Sequence, residues 1–213
     1  MNRGLLTLLL IAAGALSACA GGQKVPDWSV QAVGHLDRAT AAFLSGDARV
    51  ATREFELART QVARTGRPDL LARIELNQCA ARVASLDFEP CSGFEALRGD
   101  ADAASQAYAR YLYGEVDAAE RALLPPQHRA VAAGADTLAG IDEPLARLIA
   151  AGVLLRQVRA SPEVVAQAVE TASQQGWRRP LLAWLGVQAR LADARGDGAE
   201  AARVRRRIEI VGR

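Results

Sequence analysis

The sequence predicts an all-α fold, and three observations carry that expectation. Alanine fills 45 of the 213 positions, leucine and arginine are frequent, and β-branched residues are few, which is the composition of good helix formers. No stretch alternates apolar and polar residues with period two over a useful length, so no sheet is expected. Glycine and proline fall mostly between the periodic segments, where they act as punctuation. Aromatic residues make up 5% of the chain, so the core should consist of closely approaching helices with small side chains between them.

Each helix has local signals. Asp27 can cap a helix over 28–45, and Gly46-Asp47 turns the chain into a second over 48–64, stopped by Gly66 and Pro68. A third runs from Asp69 to about Leu86, with Leu70, Leu71, Ile74 and Leu76 on or near one face. The stretch 87–93 holds Pro90 and Gly93 and breaks the pattern before a short helix, Phe94 to Arg98. Gly99-Asp100 opens a helix to about Tyr113. Gly114-Glu115 turns into another over 116–124, ended by Pro125-Pro126. Further helices are expected from Arg129 to Leu138 and from Asp142-Glu143-Pro144 to about Val158. Ser161-Pro162-Glu163 is a strong start, with Ser161 at the N-cap and Pro162 at the first helical position, and that helix ends at Gly176. The segments 180–195 and 199–211 form a last pair around Gly196-Asp197-Gly198.

The first residues bear on location. Arg3 gives a positive start, Leu5 to Leu16 is almost wholly apolar, and Leu16-Ser17-Ala18-Cys19 follows, the order of a secretory signal. An ordinary signal cleaved near Ala18 or Ala20 would also fit, whereas the apolar run falls short of the roughly 20 residues of a helical membrane span. The four residues ending at Cys19 resemble the lipobox of bacterial lipoproteins. The resemblance implies cleavage after Ala18 and a diacylglycerol thioether on Cys19, with the new amino group acylated. Ala20 replaces the Asp of an inner-membrane retention signal, which implies outer-membrane localisation, lipid-anchored on the periplasmic face. The chain then divides into a signal peptide (1–18), a lipidated tether (19–27) and a single helical-repeat domain (28–213). The tether contains Gly21, Gly22 and Pro26 and reaches some 25 Å at about 3.4 Å per residue, so the domain should sit near the membrane.

Loss of residues 1–18 removes one cation and leaves a net side-chain charge of +1. Near-neutrality gives no argument for nucleic acid as a partner.

Three helix–turn–helix units share a pattern: Gly followed by an acid, Ala five residues after the Gly, and Ala seven before it. They are Gly46-Asp47 with Ala39 and Ala51, Gly114-Glu115 with Ala107 and Ala119, and Gly196-Asp197 with Ala189 and Ala201. The first two glycines are 68 residues apart, twice 34. This resembles the tetratricopeptide repeat, a 34-residue helix pair with small residues where its helices cross. Phe55 and Ala58 match later positions of the repeat in the first unit, whereas Pro126, Arg205 and Ile208 depart from it in the other two, and the second spacing is 82. The resemblance implies an α-solenoid of antiparallel helix pairs. Its first helices would line a concave groove, here with Leu36, Phe43, Tyr108, Tyr111, Leu112 and Arg190, suited to an amphipathic helix or extended peptide. Another helix of the same chain could equally fill that groove.

Cys79 and Cys91 meet an oxidising compartment after export. A chain reversal near Ser85 to Asp87 would bring them to similar heights, so a disulfide is expected, with two buried thiols as the alternative. His35 and His128 lie far apart with no ligand cluster around either, so no metal site and no cofactor are expected. No catalytic motif is present. The expected function is that of a non-catalytic, lipid-anchored periplasmic scaffold or adaptor that binds an unidentified envelope protein in assembly or secretion. Two alternatives are an envelope (peptidoglycan) hydrolase, which would need a cleft with a desolvated Glu, and a small apolar ligand carrier, which would need an apolar cavity of several hundred Å³.

Overall fold

The structure, a computed structural model, describes residues 25–213, which form ten α-helices and no strand. The expected signal segment and Cys19 lie outside the described residues.

Helices α1 (Asp27–Ser45) and α2 (Ala48–Ala63) form the first hairpin. Gly46 adopts φ +94°, a left-handed conformation that costs glycine little, and Asp47 accepts the Val50 amide at 3.0 Å to cap α2. Ala39 and Ala58 are completely buried and Ala51 nearly so, so the small residues are enclosed between the two helices. Ala39 and Ala58, together with Ala32, Phe55, Val62 and Ile74, make a small core of their own. The last hairpin, α9 (Arg178–Ala194) and α10 (Gly198–Gly212), repeats this turn. Gly196 has φ +72°, Asp197 accepts the Glu200 amide at 3.0 Å, and Ala201 is fully buried.

The middle unit differs. Helix α5 (Ala103–Tyr113) is capped by Asp102, which accepts the Ser105 amide at 2.7 Å. The helix expected over 116–124 does not form: a turn over 118–120 leads to a single 3-10 turn, Arg121–Leu123. Fewer than a dozen residues separate Gly114 from Pro125, too few to sustain a helix without strong packing. Pro125 disfavours helical backbone at Leu124, and Asp117 accepts the Ala119 amide at 3.0 Å in a competing local turn. The segment is instead fixed by the fully buried Leu124 and by the ion pair from Arg110 to Glu120. Ala119 is exposed, so the expectation that it marks a helix crossing is corrected.

Helix α6 (Pro126–Ala132) starts before its expected position and stops early, because the chain turns left-handed at Gly134, φ +111°. Leu138 and Ile141 are buried from the loop that follows. The short helix near Phe94 also lies earlier than expected, as α4 (Ser92–Glu95) and a 3-10 turn, Arg98–Asp100.

Two helices carry the main core. α3 (Pro68–Ala84) and α7 (Pro144–Arg156) are buried over most of their length and lack the one-sided apolar stripe of surface helices. They cross at Gly152, where a Cβ would overlap the Val83 carbonyl and lie 2.9 Å from Val83 Cγ1. Helix α8 (Pro162–Gln174), capped by Ser161, follows α7. Trp184 of α9 is fully buried and donates its indole N–H to the Ala84 carbonyl at 3.1 Å, satisfying an acceptor at the end of α3. Arg179 of α9 donates to the Phe43 carbonyl at 2.9 Å and lies over the Phe43 ring, 4.3 Å from its centre. The first and last hairpins are therefore in contact.

A disulfide joins Cys79 on α3 to Cys91, with Cα atoms 5.8 Å apart. Tyr113 reinforces that loop: its hydroxyl accepts the Cys91 amide at 3.0 Å and donates to Glu95 at 3.1 Å.

Candidate functional site

One cavity of about 530 Å³ opens where α3, α5, α6 and α7 meet. Each wall follows from a local feature already described. The buried helix α3 supplies Leu76, Asn77 and Ala80; the segment that failed to become a helix supplies Leu123 and Leu124; α6 supplies His128; and α7 supplies Leu145, Ala146 and Ile149. Tyr108, one residue past the small Ala107 on α5, completes the apolar lining. Leu123 stands at the rim with 43% of its surface exposed.

Three helix N-termini reach this cavity, and two carry their own carboxylates. Asp102 caps α5, and Arg73 donates to it at 2.5 Å. These contacts, Arg73 first, hold the Asp102 carboxyl down to about 2. Glu143 caps α7, its two oxygens accepting the Leu145 and Ala146 amides at 2.9 and 2.5 Å. A helix N-terminus attracts anions through its free amides and dipole, and here the Ser105, Leu145 and Ala146 amides are already bonded by those two carboxylates.

The inner wall is an aromatic group. His128 is 2% exposed, and its ring centre lies 4.8 Å from that of Tyr111 and 5.7 Å from that of Tyr108. Burial pushes the His128 imidazole down to about 4, so it is neutral at pH 7. Burial also raises the Tyr108 and Tyr111 hydroxyls well above the ordinary tyrosine range. His128 Nδ1 and the Tyr111 hydroxyl are buried without hydrogen-bond partners.

The six residues expected to share one groove do not do so. Tyr108 lines the cavity. Tyr111 and Leu112 are core residues, because α5 is enclosed by α3, α6 and α7. Leu36 packs half-buried against the small core of the first hairpin. Phe43 is half-buried beneath Arg179. Arg190 is exposed on α9, on a different element from the cavity. The continuous repeat groove is thus corrected: without a second helix after Gly114, the middle pair that would have continued it is missing.

His35 bonds Glu54 at 2.7 Å alongside Arg38, an arrangement that satisfies the ring locally. Among the described residues, no three His, Cys, Asp or Glu side chains converge as a metal site would require, and no helix is long and apolar enough to cross a membrane. Asn77 and Leu124 did not stand out in sequence, Glu143 did so only as part of a helix start, and His128 only as a histidine with no ligand cluster around it. Pro125-Pro126 was read only as the end of one helix, with the next beginning at Arg129, whereas Pro126 opens α6 and puts His128 in its first turn.

No protein-family model, no curated protein and no solved structure matches this chain.

Proposed function

We propose that this protein is a lipid-anchored adaptor of the bacterial envelope, tethered through Cys19 to the periplasmic face of the outer membrane, which binds a partner protein by taking an apolar group of that partner into the cavity between α3, α5, α6 and α7. The observation that carries this reading is the cavity itself. Its 530 Å³ and largely apolar lining fall in the range of preformed binding sites. The helix pairs α1–α2 and α9–α10, with their matching Gly-acid turns and buried alanines, support descent from a tetratricopeptide-like solenoid whose middle unit has been remodelled around this cavity.

The rim acids favour binding over hydrolysis. Asp102 is held ionised by Arg73 and is not poised to donate a proton, and both Glu143 oxygens are occupied by backbone amides. A free apolar molecule is the second reading, favoured by the same volume.

The test is photo-crosslinking in intact cells from a photoreactive residue at Leu123, on the rim. Ala104 is exposed and lines the cavity, so Ala104→Trp plugs it with little effect on the fold. A protein adduct from position 123 that disappears with Ala104→Trp is the expected result. An adduct unaffected by the plug contradicts docking in the cavity. Cys19→Ser should release the protein from membranes, and continued fractionation with outer membrane would refute the anchor.

A further inference from the structure

We propose that the cavity selects an uncharged apolar group carrying one hydrogen-bonding atom, a phenol or an alcohol on a hydrocarbon body, and that His128 is the residue that recognises that atom. The inference rests on the cavity being a binding site.

His128 is hard to explain as a packing residue. It lines the cavity, its Nδ1 is buried without a partner, and no side chain bonds it. Leaving a buried polar atom unpaired is costly, so a phenylalanine would fill the same space more favourably. What histidine offers there is its other ring nitrogen, Nε2, which makes no hydrogen bond within the chain and is not sealed off as Nδ1 is, so on a residue that lines the cavity it is the atom a ligand can reach. At neutral pH the ring is uncharged, so Nε2 can give or take one hydrogen bond without bringing a charge to the site.

The rest of the lining narrows the ligand. An anionic head would meet Asp102 and Glu143. The helix N-termini behind those acids already bond them, and Arg73 is engaged by Asp102. A cationic head would have to desolvate in an apolar chamber, because the rim acids are already paired with Arg73 or with backbone amides. A neutral polar atom faces neither penalty. Asn77 offers a secondary contact: its Oδ1 accepts the Thr40 hydroxyl at 2.9 Å, which leaves its amide N–H groups to the cavity it lines.

The test uses N-phenyl-1-naphthylamine as a fluorescent probe on the mature protein carrying Cys19→Ser, displaced by the matched pair 4-butylphenol and butylbenzene. In the parent protein 4-butylphenol should displace the probe at about tenfold lower concentration than butylbenzene, the value of one net hydrogen bond of about 1.4 kcal/mol. In His128→Phe the advantage should vanish or reverse, since the hydroxyl is then desolvated with no partner, while butylbenzene still competes and so reports an intact cavity. An equal phenol preference in both proteins overturns the role of His128. Parity of the two ligands in the parent overturns the selectivity. Failure of both ligands to bind the parent, or equal binding to Ala104→Trp, overturns the cavity as a site and the proposed function with it. Tyrosine amide as a third competitor separates the sources: competition by it points to a partner's side chain, and competition by 1-octanol alone to a free amphiphile.

Discussion

Lowering the pH from 7.5 to 5 should cost the folded protein about 2 kcal/mol, nearly all of it through His128. In the unfolded chain a histidine titrates near 6.5, whereas burial lowers the folded value to about 4. Between those values the unfolded state binds the proton and the folded state does not, so stability is fully present above pH 6.5 and falls as the pH drops toward 4. Over the whole window the loss is about 3 kcal/mol, and by pH 5 about 2 kcal/mol of it is gone. Paired carboxylates do not confuse this interval. Asp102, held near 2, loses its contribution below pH 4, and Glu54 and Glu95 act below their ordinary value of 4.5. Urea unfolding followed by circular dichroism at both pH values gives the measurement. With a slope of about 2 kcal/mol per molar urea, the midpoint should fall by about 1 M in the parent and much less in His128→Phe. An equal fall in both would refute the burial argument for His128.

Three further outcomes are expected. Gly152→Ala should destabilise by about 1–3 kcal/mol, because its Cβ meets backbone that cannot swing aside, and a thermal midpoint within a degree of the parent would show that α3 and α7 do not press together there. Val158 holds φ +58° with 93% of its surface exposed, so Val158→Gly should raise stability by about 1–2 kcal/mol through relief of left-handed strain; a lowered midpoint would contradict that. Leucine at Ala51 or Ala201 should overpack and cost about 1–3 kcal/mol, whereas Ala119→Leu should change stability by less than about 0.5 kcal/mol, and equal losses at all three would restore the regular middle repeat.

Local chemistry made much of the fold legible. Asp47, Glu143, Ser161 and Asp197 all stand at helix starts, and each accepts a backbone amide in the first turn. What the spacing of glycines and alanines could not reveal was the competition over 115–125. There a short candidate helix lost to an Asx turn at Asp117, a buried Leu124 and the proline pair. That outcome removed the middle repeat, buried Tyr111 and dissolved the expected groove. The cavity was hidden for a related reason: its walls come from four helices separated by up to 76 residues, from Arg73 to Ile149. His128 gave no sequence signal because its character derives from tertiary burial against Tyr108 and Tyr111.

The central claim is that the cavity between α3, α5, α6 and α7 is where this protein binds. The most direct measurement is equilibrium titration of the mature protein with the naphthylamine probe, in the parent and in Ala104→Trp. Saturable, single-site binding is expected in the parent and its loss in the plugged variant, with unchanged circular dichroism in both. Saturable binding that survives Ala104→Trp would place the site elsewhere and rule the cavity out.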